Sequence, residues 1–213
     1  MSEQKKYVID EQVWKTFVHT YTISDMQQKQ YKQFIDLLLQ ENKKYNLTAI
    51  TSIKDIILDH LYDSLAPSKI DQMEKYRSIG DVGTGGGFPG IPLAILYPDK
   101  KIHLIETNNK KIAFLELVCE KLGLENVVMH NLDWRTFLRS KDLEIDLFVS
   151  RASVAVEELL RIYKPSSFYK TSTLMYWASQ HWKLDSKDGE AYLKESKTYF
   201  VGTKKRILAL FRP

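Results

Sequence analysis

Apolar residues recur along this chain at two periods, and the change from one to the other marks its elements. From Ser24 to Lys44 they fall at helical spacing, with Tyr31, Phe34, Ile35, Leu38 and Leu39 on one face and Gln and Lys opposite. Ser24 is placed to cap that helix, Asp25 suits its first turn, and Lys43 and Lys44 suit its last. Upstream, Val8, Ile9, Val13, Trp14, Phe17 and Val18 predict a short helix within residues 1–20, packed on the body of the protein. Downstream of Tyr45-Asn46-Leu47-Thr48 the chain breaks. Ser52, with Asp55 three residues on, then opens a helix over 52–65 that buries Ile53, Ile56, Ile57, Leu61 and Leu65.

From residue 78 the rhythm becomes strand alternating with helix. Strands are predicted at 78–82, 101–106, 126–130, 145–150 and 173–177. The run from Ile145 to Ser150 is almost wholly apolar, as a central parallel strand should be, and it delivers Arg151 to the carboxyl edge of the sheet. Helices are predicted up to Tyr97, over 109–123, and over 154–164, where Pro165 ends the last one. Asn108 caps the middle helix, Gly123 terminates it, and Ile112, Phe114, Leu115, Val118 and Leu122 form its apolar face. Tyr199–Val201 and Arg206–Phe211, joined through residues 202–205, predict a closing antiparallel hairpin. Right-handed βαβ units repeated in this way predict a Rossmann-like, doubly wound α/β sheet. The economical division is an N-terminal helical cap over 1–70 packed on a core domain over 71–213, together one compact unit.

Bulk composition narrows the class without naming a function. The chain has 213 residues, 44% of them hydrophobic and 27% charged, with a net charge of +4, which is mildly basic and compatible with RNA. The single Cys119 sits among apolar helix residues and reads as a core thiol. It excludes an intramolecular disulfide framework or a multi-cysteine metal site, and fits a reducing compartment. The opening Met-Ser-Glu-Gln-Lys-Lys is polar and no apolar run reaches membrane-spanning length, so a cytoplasmic protein is expected. No metal site and a monomer are expected.

The candidate chemistry centres on residues 76–92, a strand ending at Asp81, a glycine-rich bend and a helix start with prolines at 89 and 92. Gly83, Gly85 and Gly87 fall at alternate positions, whereas the dinucleotide fingerprint wants its third glycine one place later; Gly86 and Gly90 blur that distinction. Asp81 stands two residues before the first glycine, and the next strand closes in Glu106, a carboxylate able to accept from a ribose diol. A phosphate ligand disfavours two carboxylates beside it, and a cationic sulfonium carrying a ribose and an amino group suits them. That is the arrangement of S-adenosylmethionine-dependent methyltransferases, whose product is S-adenosylhomocysteine.

Four segments, the glycine-rich run among them, carry a resemblance to one such family. They are Lys44-Tyr45-Asn46-Leu47-Thr48, His60-Leu61-Tyr62-Asp63-Ser64, the run from Asp81 through Phe88-Pro89-Gly90-Ile91-Pro92, and Ser150-Arg151-Ala152. In this order they resemble the bacterial 16S rRNA guanine-N7 methyltransferases, also called glucose-inhibited division protein B. The resemblance implies a class I methyltransferase fold, S-adenosylmethionine as cofactor, and 16S rRNA or the small ribosomal subunit as partner. By position it implies that Gly83 and Phe88 line the cofactor site, Trp134 and Arg135 stand beside the adenine, and Arg151 faces cofactor and target base. The chain departs from the family pattern at Glu106-Thr107, at Arg135 in place of an acid, at Asp59 in place of Arg, and at Ala178 in place of Lys.

Guanine N7 is an unprotonated lone pair, so its methylation calls for alignment and proximity, with no general base. Candidate catalytic residues are therefore Arg151, which can clamp O6 or a phosphate, and His60 and Asp63 near the end of the 52–65 helix. Candidate cofactor contacts are Asp81, Gly83, Gly85, Gly87, Phe88, Glu106, Trp134, Arg135 and Arg151. Phe88, Trp134, Trp177 and Trp182 are candidates to stack on an unstacked base, and Lys43, Lys44, Arg135, Arg139, Lys141, Arg161, Lys164, Lys170, Lys204 and Lys205 to meet phosphate. The residues alone leave open a methyltransferase for another RNA or a small molecule, and a non-catalytic binding protein.

Overall fold

The computed structural model describes residues 9–139, 143–151, 154–184 and 187–213. Val8, Lys141 and Ala152, each singled out above, lie outside them. Helix α1 (Glu11–Tyr21) starts at Asp10, whose carboxylate accepts from the N–H groups of Gln12 and Val13. Helix α2 (Asp25–Tyr45) opens with the expected Ser24 cap, completed by Gln27 into a reciprocal box, and buries the predicted face. Helix α3 (53–65) is capped by Ser52, but its centre, Ile56–Tyr62, widens into π geometry, a departure no sequence period announces. A short α4 (Pro67–Ile70) follows.

Seven strands then build one sheet in the order β3-β2-β1-β4-β5-β7-β6. Strands β1 (Ser78–Val82), β2 (Lys101–Ile105), β3 (Val127–His130), β4 (Leu147–Arg151) and β5 (Thr173–Ala178) run parallel. The hairpin of β6 (Leu193–Val201) and β7 (Lys204–Phe211) enters antiparallel, β7 against β5. It is longer than predicted, and its turn is only Gly202-Thr203, because β6 is a polar outer strand whose Lys, Glu and Ser hide its alternation. A register irregularity falls between Leu193 and Glu195. Helices α5 (Gly90–Leu96), α6 (Asn109–Leu122), α7 (Trp134–Phe137), α8 (Val156–Leu159) and α9 (Lys187–Tyr192) complete the chain. The helix predicted over 154–164 shortens to α8 and a 3-10 turn at Leu160–Tyr163, and α7, a single turn capped by Asp133, is too short for any apolar period to announce.

The period of two along the strands sorts their residues between two cores. Leu147, Val149, Leu208 and Leu210 face α2, α3, α5 and α6, so the N-terminal helices and this face of the sheet share one continuous core. Phe148, Leu174, Ala209 and Phe211 face the other way, onto α7 and α8. Phe17 lies within 5.6 Å, centroid to centroid, of Trp14, Tyr21, Tyr31 and Tyr62, which fastens α1 to α2 and α3. Burial pushes the Cys119 thiol up to about 12, in keeping with a core thiol. Among the described residues no helix is long and apolar enough to cross a membrane.

Candidate active site

The glycine loop between β1 and α5 is tied from beneath. Asp81 is fully buried, and its Oδ2 accepts from the Thr84 hydroxyl at 2.6 Å and from the Gly90 N–H at 2.8 Å. One carboxylate oxygen thus joins the start of the loop to the first residue of α5. The other, Oδ1, has no partner, and burial pushes the carboxyl up to about 6. Asp81 therefore sits below the loop as its fastener and does not line the groove above, where a cofactor contact was expected. Gly85 and Gly87 serve the turn: both take positive φ, and a Cβ on Gly87 would stand 2.7 Å from Ile91. Neither lines the groove.

The groove itself runs over the carboxyl ends of β1 and β2. Gly83, Glu106 and Trp134 line it, as expected, together with Val82, Ile105, Thr107, Lys111, Leu132, Asp133 and Val154. Glu106 holds its wall by accepting from the Gly85, Thr107 and Asn108 N–H groups at 2.9–3.0 Å, with the Lys111 ammonium 3.7 Å away. The Trp134 indole donates to the Glu158 carbonyl at 3.0 Å and packs edge-on against Phe148, so it forms a rigid side of the groove. Arg135 turns elsewhere. Its guanidinium makes two bonds to the Glu158 carboxylate, at 2.9 and 3.1 Å, and it lines a separate basic cleft with Arg139, Arg161 and Lys164.

A second cavity, of about 440 Å³, lies past the end of β4. Arg151 belongs to this cavity and Val154 to the groove, so the two flank the same strand end. Arg151 donates to Asp63 Oδ2 at 3.0 Å, to the Asp59 carbonyl at 2.9 Å, and contacts His60 Nδ1 at 2.9 Å. A guanidinium only donates, so Nδ1 must accept and the proton sits on Nε2. That nitrogen is 2.8 Å from the Thr48 hydroxyl, which also accepts from the Ile50 N–H. Burial, and then the neighbouring Arg151 charge, pull His60 down to about 3, so the imidazole is neutral and both nitrogens are engaged. Asp63 is completed by the Tyr199 hydroxyl at 2.6 Å on Oδ1.

The structure thus brings together all three candidate catalytic residues, Arg151, His60 and Asp63. Phe88 joins them from below: it is 5% exposed, stacked on His60 at 4.3 Å, and lies 5.3 Å from the Arg151 guanidinium. It supports the cavity rather than lining the cofactor groove. Of the stacking candidates, Trp177 lines the cavity and donates to the Asp63 carbonyl, while Trp182 packs on Tyr176 and Phe211. Sequence reading missed the parts played by Tyr199, Asp59 and Arg206. The signal available for the last was the Lys204-x-Arg206 spacing in a strand, which puts both cations on one face.

The sheet and its helices match solved methyltransferase structures of the class I fold. M. capricolum TrmK, solved with S-adenosyl-homocysteine, superposes with a TM-score of 0.53 over 71% of this chain and 67% of that one, at 17% identity. Ribosomal RNA small subunit methyltransferase G of Clostridium botulinum (strain Alaska E43 / Type E3) is 43% identical over 133 residues, 60% of this chain and 56% of the relative. The protein of the same name from Exiguobacterium sibiricum is 34% identical over 145 residues, 67% of this chain and 61% of the relative. The matched stretches therefore span little more than half the length of these relatives. A longer match decides the family: residues 27–207 fit the profile of GidB, rRNA small subunit methyltransferase G, and the chain belongs to that family.

Proposed function

We propose that the chain transfers a methyl group from S-adenosylmethionine to N7 of a guanine in 16S rRNA of the small ribosomal subunit. The observation that carries the acceptor is that, among the described residues, the cavity offers no free base. Both His60 nitrogens are engaged, Asp63 is held by Arg151 and Tyr199, and Asp59 by Lys204. Such a site suits an acceptor that gives up a lone pair and has no proton to lose. When bound, the cofactor supplies an electrophilic methyl group on a cationic sulfur. The groove fits it: the Glu106 carboxylate suits a ribose diol, and Val82, Ile105, Leu132 and the Trp134 indole offer an apolar bed for adenine.

The residues of the chain then orient and exclude water. Arg151, fixed by three partners, presents its guanidinium where it can hold the O6 of a guanine, and Phe88 backs both that guanidinium and the His60 ring. On this reading the protein acts in the cytoplasm, as a monomer on the small subunit.

The test is methyl transfer to small subunits from a strain lacking the modification, followed by nuclease digestion and mass spectrometry. We expect 7-methylguanosine; a different methylated nucleoside would sink the acceptor assignment. Arg151→Ala is expected to cut kcat/KM by about 100-fold, the cost of a misplaced reactant, while calorimetry finds cofactor affinity little changed. Glu106→Ala should do the reverse and weaken the cofactor.

A further inference from the structure

The hairpin carries basic side chains into the second cavity. Strand β7 pairs Leu208 with Trp177 and Ile207 with Ala178 of β5, so its first residues lie beside the end of β5. Lys204 and Arg206 line the cavity, whereas Lys205 is the cross-strand partner of Phe200, which is 67% exposed. Three cations, Arg151, Lys204 and Arg206, meet two carboxylates, Asp59 and Asp63.

Those carboxylates are already committed. Asp63 bonds Arg151 and Tyr199, and Asp59 Oδ2 takes the Lys204 ammonium. Arg206 is held more loosely, in long ion pairs with both. Its nearest carboxylate oxygens are 3.6 Å away on Asp59 and 3.8 Å away on Asp63, both beyond hydrogen-bond reach, and its Nε is buried with no hydrogen-bond partner. The cluster thus carries one positive charge more than its carboxylates balance, and the loosely held, one-third exposed Arg206 guanidinium lines a cavity walled by the small Ala178 and Ser179, which matches a group bearing one negative charge and two acceptor oxygens.

We propose that Arg206, assisted by Lys204, binds a phosphodiester of the acceptor RNA strand, beside the nucleotide that Arg151 faces. This rests on the rRNA methyltransferase reading, and supplies that reading with the contact that docks the strand. The pairing of Lys204 with Asp59 keeps the buried carboxylate neutralised while Arg206 engages the phosphate.

The experiment compares wild type, Arg206→Ala, Arg206→Lys and Lys204→Ala on small ribosomal subunits lacking the modification, measuring methyl-transfer kinetics and subunit binding between about 50 and 200 mM salt. Arg206→Ala is expected to raise KM about tenfold with kcat within about twofold, and to reduce the slope of log affinity against log salt by about 0.7–0.9, one phosphate contact. Lys204→Ala should reduce the slope in the same direction, and Arg206→Lys should restore it. Calorimetry with S-adenosylmethionine should find all four proteins alike. A wild-type KM and salt slope in Arg206→Ala would overturn the proposal and leave the methyltransferase reading standing. Loss of cofactor binding together with early melting in both Arg206 variants would mark a structural residue and overturn it too. A wild type that neither binds nor methylates the subunits would bring down both readings.

Discussion

Glycines in one loop stand under different constraints. Gly90 has no room: a Cβ there would come 2.3 Å from Leu104 Cδ2 and 2.8 Å from Asp81 Oδ2. The oxygen cannot retreat, because it accepts the Gly90 N–H and the Thr84 hydroxyl. Gly85 is open, its Cβ meeting only the Gly83 carbonyl at 3.9 Å, though its φ of 61° favours glycine. We therefore expect Gly90→Ala to lower stability by roughly 2–4 kcal/mol, from overpacking and a strained hydrogen bond. Gly85→Ala should cost only about 1 kcal/mol. Urea unfolding of the two variants checks this, and equal losses would contradict the geometry. Spacing alone placed Gly85 beside a ligand and left Gly90 only as a blur on the fingerprint. Why each is required depends on Leu104 and on a carboxylate whose direction no spacing reveals.

Gln27 joins two helices that are distant in sequence. Its Oε1 accepts from the Ser24 N–H at the start of α2, while its Nε2 donates to the Ile95 and Leu96 carbonyls at the end of α5. Ser24→Ala removes one cap and should cost about 1 kcal/mol. Gln27→Ala leaves two helix ends short of partners and should cost about 2 kcal/mol; thermal unfolding that ranks Ser24→Ala as the worse would refute this. Half of the box was legible, since Ser24 stands before an apolar-periodic run; the reach to α5 was not, being a tertiary contact. The same boundary runs through the other elements. Strands β1, β2, β4 and β5 could be read because Ile79, Leu104, Val149, Leu174 and their neighbours are buried, whereas β3 is half-buried along its length. Strand β6 shows the sheet only one face, and its polar residues look like loop. Arg151, His60 and Asp63 could be named one by one, but Arg206 and Tyr199 reach them only when the hairpin closes on β5.

Buried titratable groups set how the protein as a whole responds to acid. His60 is held down to about 3, and His103, bonded to His130 at 2.9 Å, to about 4, both chiefly by burial. Unfolding frees them to bind protons near their ordinary value, so their stabilisation is present above pH 6.5 and is lost as pH falls. Asp81, raised to about 6 by burial, works in the opposite sense: its contribution is present below about 4 and lost as pH rises through 6. Two histidines outweigh one carboxylate, and the expected net loss between pH 6.5 and 4 is on the order of 3 kcal/mol. His60→Gln should flatten that acid limb in denaturant titrations, and a variant as acid-sensitive as wild type would show that His60 is already protonated in the fold. Since α1, α2 and α3 share a core with the sheet, we also propose that 71–213 does not stand as a domain without residues 1–70. Strand β6 ends the sheet on one side, and a sheet-edge strand is a template on which a neighbouring chain can polymerise. The irregular register at Leu193 and Glu195, and the charges of Lys194, Glu195 and Lys197, spoil that edge as a template. The hairpin that we propose grips the acceptor strand can therefore stay exposed without seeding fibres of its own kind.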